Sequence, residues 1–204
     1  MVYEKKPEMH IVEAYAEKAE VKLYRYDKIP RYYGLNRSGI SGAENTIIVC
    51  SDNTWKNRMI PLDIWKQFIQ YVGKKHKIVE VGIHPQNYLG VGTNLIGKLP
   101  FHDVVKLIST ADLFMSWDSG LMHFAQAVGT PIFCFFGCIN PKYRIHDCDT
   151  ATVVWLNEDQ LECAGCHHKL PSPRTFTQCN KDKIYCCENI TVEMLIESFE
   201  NRRK

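Results

Sequence analysis

A chain of 204 residues with 45% hydrophobic and 24% charged side chains has the size and composition of one globular domain, not of a disordered or fibrous protein. Its 25 Lys+Arg against 23 Asp+Glu leave a formal charge of +2, which excludes a polybasic binder of nucleic acid or membrane surfaces. There is no apolar run near the ~20 residues of a membrane-spanning helix. The opening Met1-Val2-Tyr3-Glu4-Lys5-Lys6 has no apolar signal core, so the expectation is an intracellular, cytoplasmic protein without a transmembrane segment.

In chain order, Val12, Tyr15, Ala16 and Ala19 recur at the spacing of one helical face, which predicts a helix over 8–20. Residues 24–41 show no period. A β/α rhythm then sets in with a buried strand at 47–50, closed by the turn-rich Ser51-Asp52-Asn53. A helix is predicted at 62–73 behind Pro61, strands at 77–81 and 94–96, and a helix at 101–110. A strand at 113–117, a helix at 121–128 closed by Gly129 and a strand at 131–136 form one β-α-β unit of the kind that builds a parallel sheet. A last strand at 152–156 precedes a Cys-rich stretch. Val192, Leu195, Ile196 and Phe199 then predict a terminal helix, with Arg202, Arg203 and Lys204 at the end where positive charge suits the helix dipole. The fold class expected is α/β with a Rossmann-like parallel sheet, divided into an N-terminal helix and linker (1–44) and one domain (45–204).

Nine cysteines are many for a reducing compartment, and Cys163, Cys166, Cys179, Cys186 and Cys187 crowd into segment 162–187, whereas Cys50, Cys134, Cys138 and Cys148 are scattered. The Cys-x2-Cys knuckle at Cys163 and Cys166 with two later thiols is enough for a tetrahedral site, in which His167 or His168 is able to replace one thiol. The competing reading is a set of buried, unliganded thiols. Four protein ligands would leave no open position for water, which points to a structural role. A metal finger that binds nucleic acid is the weaker class, because the basic residues are not concentrated.

The densest segment runs from Asp112 to Gly137. A strand there delivers Asp118-Ser119-Gly120 to the carboxyl edge of the sheet, where a helix begins and its unpaired N–H groups suit a phosphate. Gly120 lets an anion approach the backbone, Ser119 can donate a hydroxyl, and His123 can add a third donor one turn in. Alternatively, Asp118 or Ser119 merely caps the helix and His123 packs on it.

The run Asp118-Ser119-Gly120-Leu121-Met122-His123, then Ala125 to Val128, Gly129-Thr130-Pro131 and Phe136-Gly137, resembles the signature of glycosyltransferase family nine, the ADP-heptose:lipopolysaccharide heptosyltransferases. Asn94-Leu95-Ile96-Gly97-Lys98 and the segment from Arg58 through Pro61 to Trp65 are similar to two further segments of that family. The resemblance covers roughly 45–200 and implies one lobe of a GT-B glycosyltransferase, the half that holds a nucleotide-diphosphate sugar. It implies that Ser119, Gly120, Leu121 and His123 face the pyrophosphate, with Asp118 positioning the loop. Arg58 stands where the family places a phosphate-binding lysine, and Lys56 is a nearby substitute. Gln86 takes the place of the ribose-binding Glu, and Gly97 and Leu99 lie along the base. A Cys-x2-Cys … Cys … Cys-Met metal finger occurs in a subset of the family. It implies Cys163, Cys166, Cys179 and Cys186 as ligands of zinc or iron, with Cys187 in the place of the Met.

The family's amino-terminal lobe binds acceptor and supplies the catalytic base, and residues 1–44 resemble only the crossover between lobes. The base is therefore unassigned. The missing lobe is expected from a second polypeptide or from a second copy in a homo-oligomer; otherwise the chain is a non-catalytic nucleotide-sugar binder or assembly subunit. The acceptor is left open among lipopolysaccharide, a protein and a modified nucleobase.

Overall fold

The structure is a computed structural model that describes residues 9–24, 31–32, 44–145, 150–169, 179 and 181–202. The predicted helix start at residue 8, most of 24–41, Cys148, Pro171-Ser172-Pro173, Arg203 and Lys204 lie outside the described residues.

Helix α1 (Ile11–Lys18) is opened by a capping box, in which His10 accepts from the chain ahead while Glu13 reaches back to the His10 N–H. It buries none of its residues. The sheet follows as β1 (Thr46–Cys50), β2 (Lys77–Val81), β3 (Thr93–Asn94), β4 (Leu113–Trp117), β5 (Ile132–Phe135) and β6 (Ala151–Val154). Interleaved helices are α2 (Leu62–Val72), α3 (Phe101–Ile108) and α4 (Gly120–Ala127), and the chain continues through α5 (Cys166–Lys169), α6 (Tyr185–Glu188) and α7 (Val192–Glu200). All six strands pair in parallel in the order β3-β2-β1-β4-β5-β6. That is the doubly wound order in which the chain reverses direction between β1 and β4.

The central strands β1, β4 and β5 are buried at every position, because helices cover both faces of a parallel sheet and an alternating pattern would put polar groups against them. Trp65, Phe68, Ile69 and Val72, at i, i+3, i+4 and i+7, turn one face of α2 onto that sheet. Trp65 lies 4.7 Å from Trp117 between ring centroids, and its indole N–H donates to the Ser51 hydroxyl at 3.1 Å. Phe199 of α7 closes the layer edge-on to Phe68 and Phe133.

The predicted elements all appear, with ends shifted by a few residues at most where they are described. The short helices α5 and α6 and three single-turn 3-10 helices (Lys56–Arg58, Pro85–Asn87, Pro141–Tyr143) are additions to the sequence reading.

Candidate functional site

The strand reversal leaves a crevice at the carboxyl ends of β1, β2 and β4, where neighbouring connections depart to opposite faces. A cleft of about 610 Å³ occupies it. Asp52 and Asn53 follow β1, Gly82, Ile83 and His84 follow β2, and Asp118, Ser119 and Gly120 join β4 to α4. Asn53 ties two of these connections together by donating its side-chain amide to the Asp118 carbonyl at 3.1 Å.

One wall is polar and anion-ready. Ser119 is the N-cap of α4 in an extended conformation, yet its hydroxyl caps nothing and has no hydrogen-bond partner although it is buried. The capping alternative for Ser119 is thereby set aside, and the start of α4 lines the cleft at Gly120 and Leu121 with no N-cap side chain bonded to its N–H groups. A Cβ at Gly120 would meet nothing within 4 Å, so the space beside that backbone is open. Arg58 ends the Lys56–Arg58 turn with its guanidinium 3.7 Å from the centre of the Trp55 ring and 3.4 Å from a carboxylate oxygen of Asp118. Asp118 is 3% exposed, and its position fixes where the guanidinium can sit.

The second wall is built by Asp52, which the sequence reading passed over as a turn residue. Its carboxylate accepts from the N–H of Ile83, from the N–H of His84 at 3.2 Å and from the Asn87 amide at 2.8 Å. Gly82 has φ +151° and a Cβ there would lie 2.5 Å from the same carboxylate, so glycine alone lets this loop close over Asp52. The third wall is apolar, from Leu99, Phe101, Val104, Leu121 and Phe124. At the rim Ile83 is 75% and Phe101 52% exposed.

Of the predicted donor-site residues, Arg58, Gly97, Leu99, Asp118, Ser119, Gly120 and Leu121 line this cleft. Lys56 and Gln86 are exposed on their short turns and do not line it; His84 and Ile83 occupy the wall at Gln86's end. His123 lies one turn into α4, behind the wall. Burial lowers its pKa below the ordinary histidine value, Arg144 and Arg58 add to that, and Asp118 opposes it, so the ring is neutral at pH 7.

The Cys-rich segment lies under the Lys56–Arg58 turn. All eight cysteines among the described residues are free of disulfides. Cys163 is raised by burial and then by the neighbouring Cys186 and Cys179. Cys166 is pushed up to about 11 by burial and then by Cys186, Cys163 and Cys179. Cys186 and Cys179 thus lie near enough to Cys163 and Cys166 to raise them, whereas Cys186 itself is lowered by its contact with the Cys187 sulfur. Cys138 is raised by burial with Cys166 and Cys186 contributing. Among the described residues, however, no group of three or more His, Cys, Asp or Glu side chains converges tightly enough to hold a metal ion. The Cys187 sulfur donates to the Lys56 carbonyl at 3.8 Å and lies 3.9 Å from that of Cys186, and its pKa is raised by this neighbour and by burial. His167 and His168 are buried, and burial lowers them to about 4 and about 3. No helix among the described residues is long and apolar enough to cross a membrane.

Comparison with known proteins bears on this site. The family profile described as glycosyltransferase family 9 (heptosyltransferase) matches residues 71–172, half of the chain. Lipooligosaccharide heptosyltransferase 2 of Haemophilus influenzae is 38% identical over 68 residues, 33% of this chain and 20% of that protein. Among solved structures, E. coli ADP-heptose lps heptosyltransferase II superimposes with a TM-score of 0.55 at 14% identity, covering 92% of this chain and 49% of that one. The iron-containing dodecameric glycosyltransferase TibC of enterotoxigenic E. coli superimposes with a TM-score of 0.58 at 19% identity over 76% of this chain and 44% of that one. The glycosyl transferase family 9 structure from Veillonella parvula gives a TM-score of 0.57 at 19% identity over 79% and 47%. The chain therefore spans about half the length of these solved structures or less.

Proposed function

Since the chain belongs to glycosyltransferase family 9, the heptosyltransferase family, we propose that its cleft binds a nucleotide-diphosphate sugar and serves as the donor half of a glycosyl transfer. The observation that carries this reading is the convergence of an uncapped helix start, an open Gly120 and the Arg58 guanidinium on one wall of a crevice at the strand reversal. The diphosphate sits on that wall, the ribose faces Asp52 and His84, and the base lies along Gly97 and Leu99. An ADP-sugar is the first candidate, because one solved neighbour is TibC in complex with ADP-D-beta-D-heptose. In the transfer, Arg58 and the α4 N–H groups stabilise the charge that builds on the departing diphosphate.

Among the described residues, the cleft offers no carboxylate for the base that takes the acceptor proton: the two that line it are committed, Asp52 to the loop after β2 and Asp118 to Arg58. A base must reach the acceptor hydroxyl on the face of the sugar away from the nucleotide. It therefore comes from a second lobe, supplied by further chain, another polypeptide or a second copy. The exposed Ile83 and Phe101 at the rim suit closure by such a lobe.

The four thiols Cys163, Cys166, Cys179 and Cys186 do not converge as a closed ligand set among the described residues, yet they are the ones that a structural zinc or iron ion would draw together, since Cys186 and Cys179 stand near enough to raise Cys163 and Cys166. Bound there, the ion would supply a cross-link and no chemistry at the sugar.

Calorimetric titration with ADP-, UDP- and GDP-sugars tests the donor reading. The expected result is saturable binding of one nucleotide class, and no binding of any of them would overturn it.

A further inference from the structure

We infer that the Cys-rich segment sets the position of the cleft arginine through a column of tilted and edge-on ring contacts, with His167 and Trp55 as positioning residues for Arg58. The inference rests on the reading of Arg58 as a phosphate ligand. It concerns how that group is held, which the donor-site assignment leaves open.

The column starts at the knuckle. His167 follows Cys166 directly, is 2% exposed and meets the Trp55 ring at 5.7 Å between centroids. The opposite face of the assembly is closed by His168, edge-on to His167 at 5.0 Å, and by Tyr143, edge-on to His168 at 4.7 Å. Trp55 carries the Arg58 guanidinium at 3.7 Å, and Arg58 reaches Asp118 at 3.4 Å. An arginine side chain has many rotamers, and one held over an indole loses much of that freedom before a ligand arrives. The indole can do this only if its own ring is fixed, and a buried imidazole against it does so.

The backbone runs the same way. Cys138 donates its N–H to the Asn57 carbonyl at 3.1 Å, and His167 donates its N–H to the Cys138 carbonyl at 3.2 Å. The Cys187 sulfur donates to the Lys56 carbonyl. A Cβ at Gly137 would lie 2.2 Å from the Asn57 carbonyl oxygen, so only glycine allows the chain leaving β5 to pass this close beneath the turn. The Lys56 carbonyl is thus held by Cys187 of the thiol segment, and the Asn57 carbonyl by Cys138, which His167 of that segment holds in turn. Asp118 holds one nitrogen of the guanidinium, and the column holds its carbon against the Trp55 ring. The arrangement makes the placement of the cleft arginine dependent on a segment that does not line the cleft.

The test is titration of wild type, Arg58→Ala, Trp55→Leu, Trp55→Phe, His167→Ala and His167→Phe with ADP and with adenosine, with the metal content and melting temperature of each protein measured. His167→Ala and Trp55→Leu should weaken ADP about tenfold, the scale of a stacked cation partly freed, and leave adenosine within about twofold. His167→Phe and Trp55→Phe keep a ring in place and should restore wild-type affinity with unchanged metal content. If Arg58→Ala loses ADP while His167→Ala and Trp55→Leu do not, the column is overturned and the phosphate role of Arg58 stands. If wild type binds no ADP, or Arg58→Ala binds it as well as wild type, the donor-site reading itself fails and the inference falls with it. Equal losses of ADP and adenosine, or loss of metal in His167→Phe, would also overturn it, as a packing or ligand role respectively. If His167→Ala does not fold, the Trp55→Leu and Trp55→Phe pair decides the question alone.

Discussion

At Gly120 the backbone approaches the cleft with nothing within 4 Å of where a Cβ would stand. Valine there fits the folded chain and fills the place of a phosphate. Gly120→Val should therefore keep the wild-type melting temperature, apart from the ~1 kcal/mol span of helix-start and propensity effects, while ADP titration shows no saturation. Wild-type affinity in the variant would remove the anion site from the start of α4. His123, behind the same wall, makes a pH prediction. Its folded pKa is depressed below the ordinary 6.5 by burial, so the unfolded chain takes up this proton before the folded chain does. The stabilisation is fully present above that value and is lost as pH falls through it toward the folded pKa. Melting temperature measured from about pH 8 to pH 5 should fall more steeply in wild type than in His123→Gln, because the glutamine has no proton to gain. His76 is lowered in the same way and remains in both proteins, so their difference reports His123. Parallel curves would show that His123 is solvated in the folded protein.

Among the elements, β2 carries the least expected residue. Glu80 is 1% exposed in a strand that pairs on both sides, and its carboxylate accepts from the N–H groups of Leu89 at 2.7 Å, Val91 at 3.0 Å and Gly92 at 3.1 Å. One side chain thus folds the loop between β2 and β3. Glu80→Ala strands those buried donors and should cost about 3 kcal/mol or more in chemical denaturation. Glu80→Gln, whose oxygen can still serve Val91 and Gly92 in place of Oε1, should lose less; equal costs would mean that the loop rearranges. The strands at 77–81 and 113–117 were legible from the chain because burial on both sheet faces demands short apolar runs, and the helix at 62–73 because its apolar spacing is 3.6. Asp118 to Leu121 were legible for a different reason, since a strand that ends on Asp-Ser-Gly before a helix can present little else. Asp52 and Glu80 were not, because their hydrogen-bond partners are distant or unmarked N–H groups that appear only once β1 and β2 lie side by side. The Lys56–Arg58 turn, α5 and α6 were missed for the same cause: each is held by contacts from Gly137, Cys138 or Cys187, and three or four residues carry no period.

Across the whole molecule, the Cys-rich segment joins the edge strand β6 to α7, whose Leu195 and Phe199 are buried in the core. The segment has few aliphatic side chains and cannot supply a core of its own, so its stability has to come from a cross-link or from the turn it supports. Four thiolates on one ion would close its loops and make metal binding part of folding. The two adjacent cysteines separate this reading from one of buried thiols. Cys187 is committed inward, to the Lys56 carbonyl, while Cys186 is the one that Cys163 and Cys166 feel. Cys186→Ser should therefore lose the metal and lower the melting temperature by several degrees, as expected for about 1–2 kcal/mol in a chain of this size. Cys187→Ser should retain a full equivalent of metal and lose only the sulfur contacts to the turn and to Cys186. Elemental analysis of the purified variants beside their thermal melts reads both outcomes at once. Less than about a tenth of an equivalent of any transition metal in the wild-type protein, with the thiols of 163–187 titrating freely, would leave the finger without support. In that case the thiol cluster would be a packing feature under the Lys56–Arg58 turn, and the Cys186→Ser and Cys187→Ser melts should then differ only by the loss of the sulfur contact to Lys56.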